Sequence, residues 1–114
     1  MELVNPHGKE RKLKPLLLPA AERAQAREEA AHLPNIRMSS RETSDLIMLG
    51  IGAFTPLQGF MNKADWQGVC DAFTTSDGCF WPVPITLSVP QEQADRLREG
   101  AQVALVDEIG RAHV

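Results

Sequence analysis

Three histidines and two cysteines are among the residues of this chain whose types could bind a metal ion or act as nucleophile and base. His7, His32 and His113 are scattered along the sequence, and neither they nor Cys70 and Cys79 stand at metal-ligand spacing. Each histidine is interpreted as a surface residue. Cys70 falls on the apolar side of a predicted helix, which indicates a buried small hydrophobic residue. A disulfide between the two cysteines is the alternative, and a reducing compartment disfavours it.

A glycine-rich stretch at residues 50–60, GIGAFTPLQGF, is the second feature that could do chemistry. A phosphate-binding loop would end in Gly-Lys-Ser/Thr or present GxGxxG after a strand, and neither pattern occurs. No Gly-x-Ser-x-Gly nucleophile elbow occurs elsewhere in the chain. We interpret the stretch as a structural loop in which glycines take unusual dihedral angles and Phe54, Leu57 and Phe60 anchor the chain. The sequence therefore predicts no catalytic, cofactor-binding or metal-binding residue.

Composition predicts one small globular domain over residues 1–114. Hydrophobic residues make up 43% of the chain and charged residues 24%, which are ordinary values for a folded domain. No apolar run reaches the length of a membrane span, and the first residues lack the pattern of a secretion signal. The expected location is the cytoplasm, with no membrane partner.

The charge distribution argues against a nucleic-acid partner. The net charge is −3, whereas binding to phosphate backbones requires a surplus of Lys and Arg. One basic cluster occurs, at Lys9, Arg11, Lys12 and Lys14, and it contains no aromatic residue that could stack on a base. A solvated surface segment is the preferred interpretation of this cluster. An RNA-contacting arm is the alternative.

Three helices are predicted in the first two thirds of the chain. Residues 20–33 are rich in strong helix formers and are followed by Pro34. Ser39 and Glu42 form a capping box, which begins a helix that should end near residue 49, before Gly50. The third helix should run over residues 63–73.

The third helix carries the clearest amphipathic pattern in the sequence. Trp66, Val69, Cys70 and Phe73 recur at helical spacing. A stripe of this kind is usually buried. We therefore expect this face to form the main core contact, with Trp66 and Phe73 at its centre.

Strands are expected in the last third. Residues 85–89 alternate apolar and polar side chains after Pro82 and Pro84, which predicts a half-buried strand. A short helix should follow Pro90 and end at Gly100. Residues 103–106 should form a second strand, followed by a turn at 107–110 and a returning strand at 111–114. Because the chain stops there, we expect a domain truncated within its last hairpin.

Several spaced motifs resemble the amino-terminal domain of the ATP sulfurylase (sulfate adenylyltransferase) family. The central one is GAFTPLQGFM, which is similar to the family signature GAFSPLxGFM, with Thr55 where the family usually has Ser. The other matching segments, in chain order, are LPNI at 33–36, DL at 45–46, DWQGV at 65–69, WPVPITL at 81–87 and GAQVALVD at 100–107. The similarity spans about residues 33–110, and residues 1–32 match only loosely.

The resemblance implies an α+β fold: a small PUA-like, β-rich domain with several short helices, packed on a separate nucleotidyltransferase domain. The full enzyme makes adenosine phosphosulfate and pyrophosphate from ATP and sulfate with magnesium. Its substrate-binding motifs, a Gln-x-Arg-Asn segment and closely spaced histidines, belong to the second domain and do not occur here.

The resemblance thus implies a non-catalytic domain that is inactive alone and holds no cofactor of its own. Its expected partner is the catalytic domain of the same enzyme, and the full-length form is expected to be a homo-oligomer. A stand-alone PUA-like module that binds RNA or protein is the alternative.

Overall fold

The computed structural model describes residues 3–110. Its regular elements are four helices and two strands, in the order α1 (Ala20–Ala30), β1 (Asn35–Arg37), α2 (Ser40–Gly50), α3 (Lys63–Ala72), α4 (Gln91–Ala94) and β2 (Ala104–Val106). The chain divides into two compact units, one made of residues 1–16 with 44–87 and the other of 17–43 with 88–114. The expectation of a single domain over residues 1–114 stays a prediction.

The first unit has a hydrophobic core. The carboxyl end of α2, the glycine-rich loop, α3 and the segment at residues 81–85 contribute to it. Its buried residues are Leu49, Leu57, Val69, Trp81 and Ile85. Phe54, Phe60 and Met61 pack against them and remain partly exposed. The interpretation of the glycine-rich stretch as a loop anchored by apolar side chains agrees with these contacts.

The apolar stripe of α3 is not the core face that its spacing predicts. Val69 is buried, but Trp66 is 41% exposed, Phe73 is 57% exposed and Cys70 is exposed. The reason is the path of the chain after α3. Phe73 takes a left-handed conformation with φ of 53°, and the chain then passes so close to Gly68 that a Cβ there would lie 2.2 Å from the Thr74 carbonyl oxygen. The helix therefore packs through its Gly68–Val69 side.

The second unit contains a two-stranded parallel sheet formed by β1 and β2, with Ile36 opposite Leu105. The pairing continues beyond β1, where the Met38 N–H donates to the Val106 carbonyl oxygen at 2.8 Å. Ile36, Met38 and Val106 are buried. The predicted strand at 103–106 is confirmed for its last three residues.

The helix predictions hold with different ends, and α2 includes Gly50, before which it was expected to stop. The first helix ends at Ala30, three residues before the expected end at Leu33, and continues as a turn. The capping box at α2 is confirmed: Ser39 N–H donates to Glu42 Oε1 at 3.0 Å, and Glu42 N–H donates to Ser39 Oγ at 3.2 Å. The helix after Pro90 ends at Ala94 instead of extending to Gly100.

The predicted strand at residues 85–89 is wrong. These residues have no strand pairing, although Ile85 is buried and its carbonyl oxygen accepts the Met61 N–H at 2.7 Å. Three prolines around this segment, Pro82, Pro84 and Pro90, have no backbone N–H. The absence of these donors disfavours the hydrogen bonds that pair one strand with another. Two strands of three residues also mean that residues 3–110 are not β-rich, although they mix helix and sheet.

The end of the chain is described only as far as the turn. Gly110 N–H donates to the Asp107 carbonyl oxygen at 3.0 Å, as expected for a turn at 107–110. The predicted returning strand at 111–114 lies outside the described residues. Within residues 3–110, no helix has the length and apolar character needed to cross a membrane.

Candidate functional site

Polar contacts in the first unit concentrate where the N-terminal segment meets the turn after α3. His7 Nε2 lies 2.7 Å from the Phe80 carbonyl oxygen, and Lys9 Nζ donates to the Asp77 carbonyl oxygen at 2.7 Å. A carbonyl oxygen can only accept, so Nε2 of His7 must carry a proton in this contact. These two side chains therefore hold the N-terminal segment on the turn at residues 75–80.

Cys79 lies beside His7 but is not activated by it. Its Sγ is 3.3 Å from His7 Nε2 and 3.6 Å from the Phe80 carbonyl oxygen. Burial raises the pKa of the Cys79 thiol, the Asp77 carboxylate raises that pKa further, and the Lys9 ammonium opposes both. Because the protonated Nε2 points at a carbonyl, it cannot accept the thiol proton. The pair is thus a structural contact and not a nucleophile with its base.

The turn beside Cys79 is held by its own side chains. The Thr75 hydroxyl donates to Asp77 Oδ1, and this hydrogen bond is the main reason why the pKa of Asp77 is lowered. Asp65 on α3 accepts hydrogen bonds from the Ser76 N–H at 2.8 Å and from its hydroxyl at 2.7 Å. Both carboxylates are therefore used to fix the turn.

A cleft of about 400 Å³ lies next to this turn. Its walls include Glu10, Asp65, Asp77 and Lys14, and Lys14 Nζ forms an ion pair with Glu10 at 3.1 Å. Three carboxylates against one paired ammonium would repel a phosphate or sulfate group. The cleft does not fit an anionic substrate.

The glycine-rich loop packs against the N-terminal segment. Gly52 has φ of +82°, and a Cβ there would lie 3.1 Å from the Pro15 backbone nitrogen. Thr55, which is buried, donates its hydroxyl to the Gly52 carbonyl oxygen at 2.6 Å and accepts the Lys14 N–H at 3.1 Å. Space that a phosphate would need is filled by the chain itself, which supports the structural interpretation of the loop. Sequence reasoning missed the role of the Thr55 hydroxyl.

In the second unit, Glu42 is the buried carboxylate with the most defined surroundings. Besides its capping bonds to Ser39, its Oε2 accepts the Ser88 N–H at 2.6 Å. Burial raises the pKa of Glu42, but the hydrogen bonds from the Ser39 and Ser88 backbone amides outweigh it, so the pKa is lower than usual. Glu42 is therefore ionised at neutral pH and joins two distant segments.

Of the candidate ligands, the structure brings His7 and Cys79 into contact, but this pair is not joined by further ligands in the described residues. His7 lies against Phe80, His32 is exposed, and His113 lies outside the described residues. In residues 3–110, no group of three or more His, Cys, Asp and Glu side chains could hold a metal ion. Cys70 and Cys79 are free thiols. The expectation of no catalytic, cofactor-binding or metal-binding residue stays a prediction.

The chain matches a known domain family and has relatives among known enzymes. Residues 4–113 match the PUA-like domain family, and the chain belongs to it. It is 59% identical over 108 residues to a sulfate adenylyltransferase of Chlorobaculum tepidum, covering 95% of this chain and 27% of the relative. It is 60% identical over 106 residues to a sulfate adenylyltransferase of Syntrophobacter fumaroxidans, covering 93% of this chain and 26% of that relative.

A solved structure, described as a hexameric APS kinase from Thiobacillus denitrificans, has a similar fold. It superimposes with a TM-score of 0.82 at 37% identity, over 96% of this chain and 22% of the other. The similarity to sulfate adenylyltransferases inferred from the motifs is confirmed. The chain spans about a quarter of the length of these relatives.

Proposed function

We propose that this chain is the amino-terminal, non-catalytic domain of a sulfate adenylyltransferase whose catalytic domain lies outside this sequence. The observation that carries the proposal is the 59% identity that extends over 95% of this chain but only 27% of the relative. Identity at this level over nearly the whole segment supports the same structural role in both proteins. The full-length enzyme would make adenosine phosphosulfate and pyrophosphate from ATP and sulfate.

The described residues support a role without chemistry. Transfer of an adenylyl group needs cations and donors that converge on phosphate oxygens. The cleft in the first unit presents carboxylates and a paired Lys14 instead. In residues 3–110, no group of three or more His, Cys, Asp and Glu side chains could hold a metal ion, and the proposal requires neither ATP nor magnesium to bind to this domain. Both would be bound by the catalytic domain.

The proposed partner is that catalytic domain, in a cytoplasmic homo-oligomer. The structural neighbour is described as hexameric, which supports assembly of the full-length form. The alternative, a stand-alone PUA-like module that binds RNA or protein, has less support. The net charge is −3, and in the basic segment Lys9 and Lys14 are engaged by Asp77 and Glu10.

A chimera tests the proposal. The matching segment of the Chlorobaculum tepidum relative is replaced by this chain, and ATP formation from adenosine phosphosulfate and pyrophosphate is measured. Controls are the intact relative, the relative with the segment deleted, and this chain alone.

We expect the chimera to be active and soluble, the deletion to lose activity or solubility, and this chain alone to show no turnover above contaminant controls. An inactive chimera would contradict the proposal. Turnover that co-elutes with the 12.6 kDa chain would contradict its non-catalytic part. Binding of a single-stranded RNA probe by this chain would favour the alternative.

A further inference from the structure

Helix α2 is apolar on two opposite sides at its carboxyl end. Leu49 is 2% exposed and belongs to the core of the first unit. Ile47 is 48%, Met48 38% and Ile51 51% exposed. Ile51 continues the helical hydrogen bonding, since its N–H donates to the Ile47 carbonyl oxygen at 3.0 Å. Residues three and four positions apart share a helix face, so these three side chains lie together on the solvent side.

The N-terminal segment adds two partly exposed leucines near the carboxyl end of this helix. The Leu16 N–H donates to the Gly50 carbonyl oxygen at 2.9 Å, and the Leu13 Cγ would lie 3.2 Å from a Cβ at Gly52. Leu13 is 53% and Leu16 38% exposed. We call the five side chains Leu13, Leu16, Ile47, Met48 and Ile51 the outer patch.

The outer patch has the composition of a covered surface. A helix on the surface of a small domain normally carries polar residues opposite its buried side, and a helix that is apolar all round is normally buried. Contiguous exposed apolar side chains mark interaction surfaces, and absence of charged residues is typical of the centre of a permanent interface. None of the five side chains is charged or polar.

We propose that the outer patch is the surface through which this domain docks onto the remaining polypeptide of a full-length sulfate adenylyltransferase. This inference rests on the proposed function. Its occupant is argued from length: the matched segment is 27% of the relative, so most of such a polypeptide lies outside it and is available to cover the patch. A permanent contact within one polypeptide suits an uncharged apolar surface better than a transient contact does.

Thiol labelling tests the docking surface. In a background with Cys70→Ser, the variant Ile51→Cys places one accessible thiol in the outer patch, and Lys63→Cys, at an exposed position on α3, serves as the control. Each is labelled with a maleimide in the 114-residue chain and in the chimera described above, and the rates are compared. Ile47→Cys provides a second reporter if Ile51→Cys does not fold.

We expect Cys at position 51 to react at least about tenfold more slowly in the chimera than in the 114-residue chain, because burial removes access to the thiol. The control at position 63 should react at similar rates in both. This protection should not change when the chimera is diluted.

Each other outcome overturns the inference. Equal rates at position 51 in an active chimera would overturn the docking surface and leave the proposed function intact. Slow labelling that becomes fast on dilution would show that a second copy of the chain covers the patch. Slow labelling already in the 114-residue chain would show that this chain covers the patch itself. An inactive chimera would overturn the proposed function and the docking surface with it.

Discussion

The Glu42 carboxylate accepts the backbone N–H of Ser88 at 2.6 Å, 46 positions further along the chain. The same carboxylate caps α2 through Ser39. One buried side chain therefore holds a helix start and a proline-flanked segment in place.

Replacing Glu42 by Gln should destabilise the protein at neutral pH. Hydrogen bonds to a charged group contribute about 1.5–3 kcal/mol, and the neutral amide weakens those from Ser39 and Ser88. Urea unfolding at pH 7, followed by circular dichroism, measures the loss. Glu28→Gln, at an exposed position on α1, is the matched control and should change the free energy of unfolding by no more than about 0.5 kcal/mol. An equal effect of both substitutions would contradict the prediction.

The contribution of Glu42 should also depend on pH. Its pKa is lowered in the folded protein from an ordinary value of 4.5, so the folded state binds this proton less readily than the unfolded state. The stabilisation is complete above the unfolded-state pKa and is lost as pH falls through the folded-state pKa. The stability difference between the parent chain and Glu42→Gln should therefore shrink below pH 4.5. A difference that stays constant down to pH 3 would show that the charge is not responsible.

Gly68→Ala should destabilise the first unit, although alanine normally favours helices. A Cβ at Gly68 would lie 2.2 Å from the Thr74 carbonyl oxygen, so the chain after α3 must move, at a cost of about 1–3 kcal/mol. Gly59→Ala is the control, because no atom lies within 4 Å of a Cβ there and its φ is not positive. The melting temperature should fall for the first variant and stay nearly constant for the second. Similar melting temperatures for both variants would contradict this.

This pair of glycines corrects an expectation from the sequence. The sequence predicts unusual dihedral angles at the glycines of the loop at residues 50–60, which include Gly59. In the structure Gly59 is unrestricted, whereas Gly52 has positive φ and Gly68 has a backbone contact.

Of the two tryptophans, Trp81 and not Trp66 should dominate stability. Trp81 is 8% exposed, whereas Trp66 is 41% exposed. The ring centroids of Trp81 and Phe54 lie 5.7 Å apart in an edge-to-face arrangement. Trp81→Ala should cost about 3–5 kcal/mol, and Trp66→Ala about 1 kcal/mol or less. Chemical denaturation followed by circular dichroism compares them without relying on tryptophan fluorescence. A larger loss for Trp66→Ala would restore the interpretation of the α3 stripe as the core face.

The hydroxyl group of Thr55 should be needed for stability, whereas its methyl group should not. Thr55→Val keeps the shape but leaves the Lys14 N–H and the Gly52 carbonyl oxygen without this buried partner, at a cost of about 1–3 kcal/mol. Thr55→Ser keeps the hydroxyl and should lose much less. Thermal unfolding of the two variants gives the comparison. If valine is tolerated as well as serine, the hydroxyl contacts do not stabilise the loop.

Cys70 should react with thiol reagents far faster than Cys79. Cys70 is exposed and Cys79 buried, and burial raises the pKa of the Cys79 thiol. Alkylation at pH 8, with the modified residue identified by mass spectrometry, should label Cys70 first. His7→Ala should increase labelling of Cys79 because it removes a side chain beside the sulfur. Equal labelling of both thiols in the parent chain would refute the assigned burial.

Much of the local structure follows from the sequence. The capping box at Ser39 and Glu42 and the helix-forming composition of residues 20–30 act within a few residues, and the structure contains both. The motif order likewise determined the family, because spaced matches over most of the chain do not depend on packing.

Tertiary structure decided which apolar residues are buried and which extended segments pair. Spacing placed Trp66, Val69 and Phe73 on one helix face, but the close passage of Thr74 over Gly68 selected the adjacent side for burial. Residues 85–89 alternate as a strand does, yet the pairing partner of β2 is β1, some 70 residues earlier in the chain. Periodicity describes the pattern within one segment. Burial and strand pairing depend instead on which distant segments of the chain pack against it.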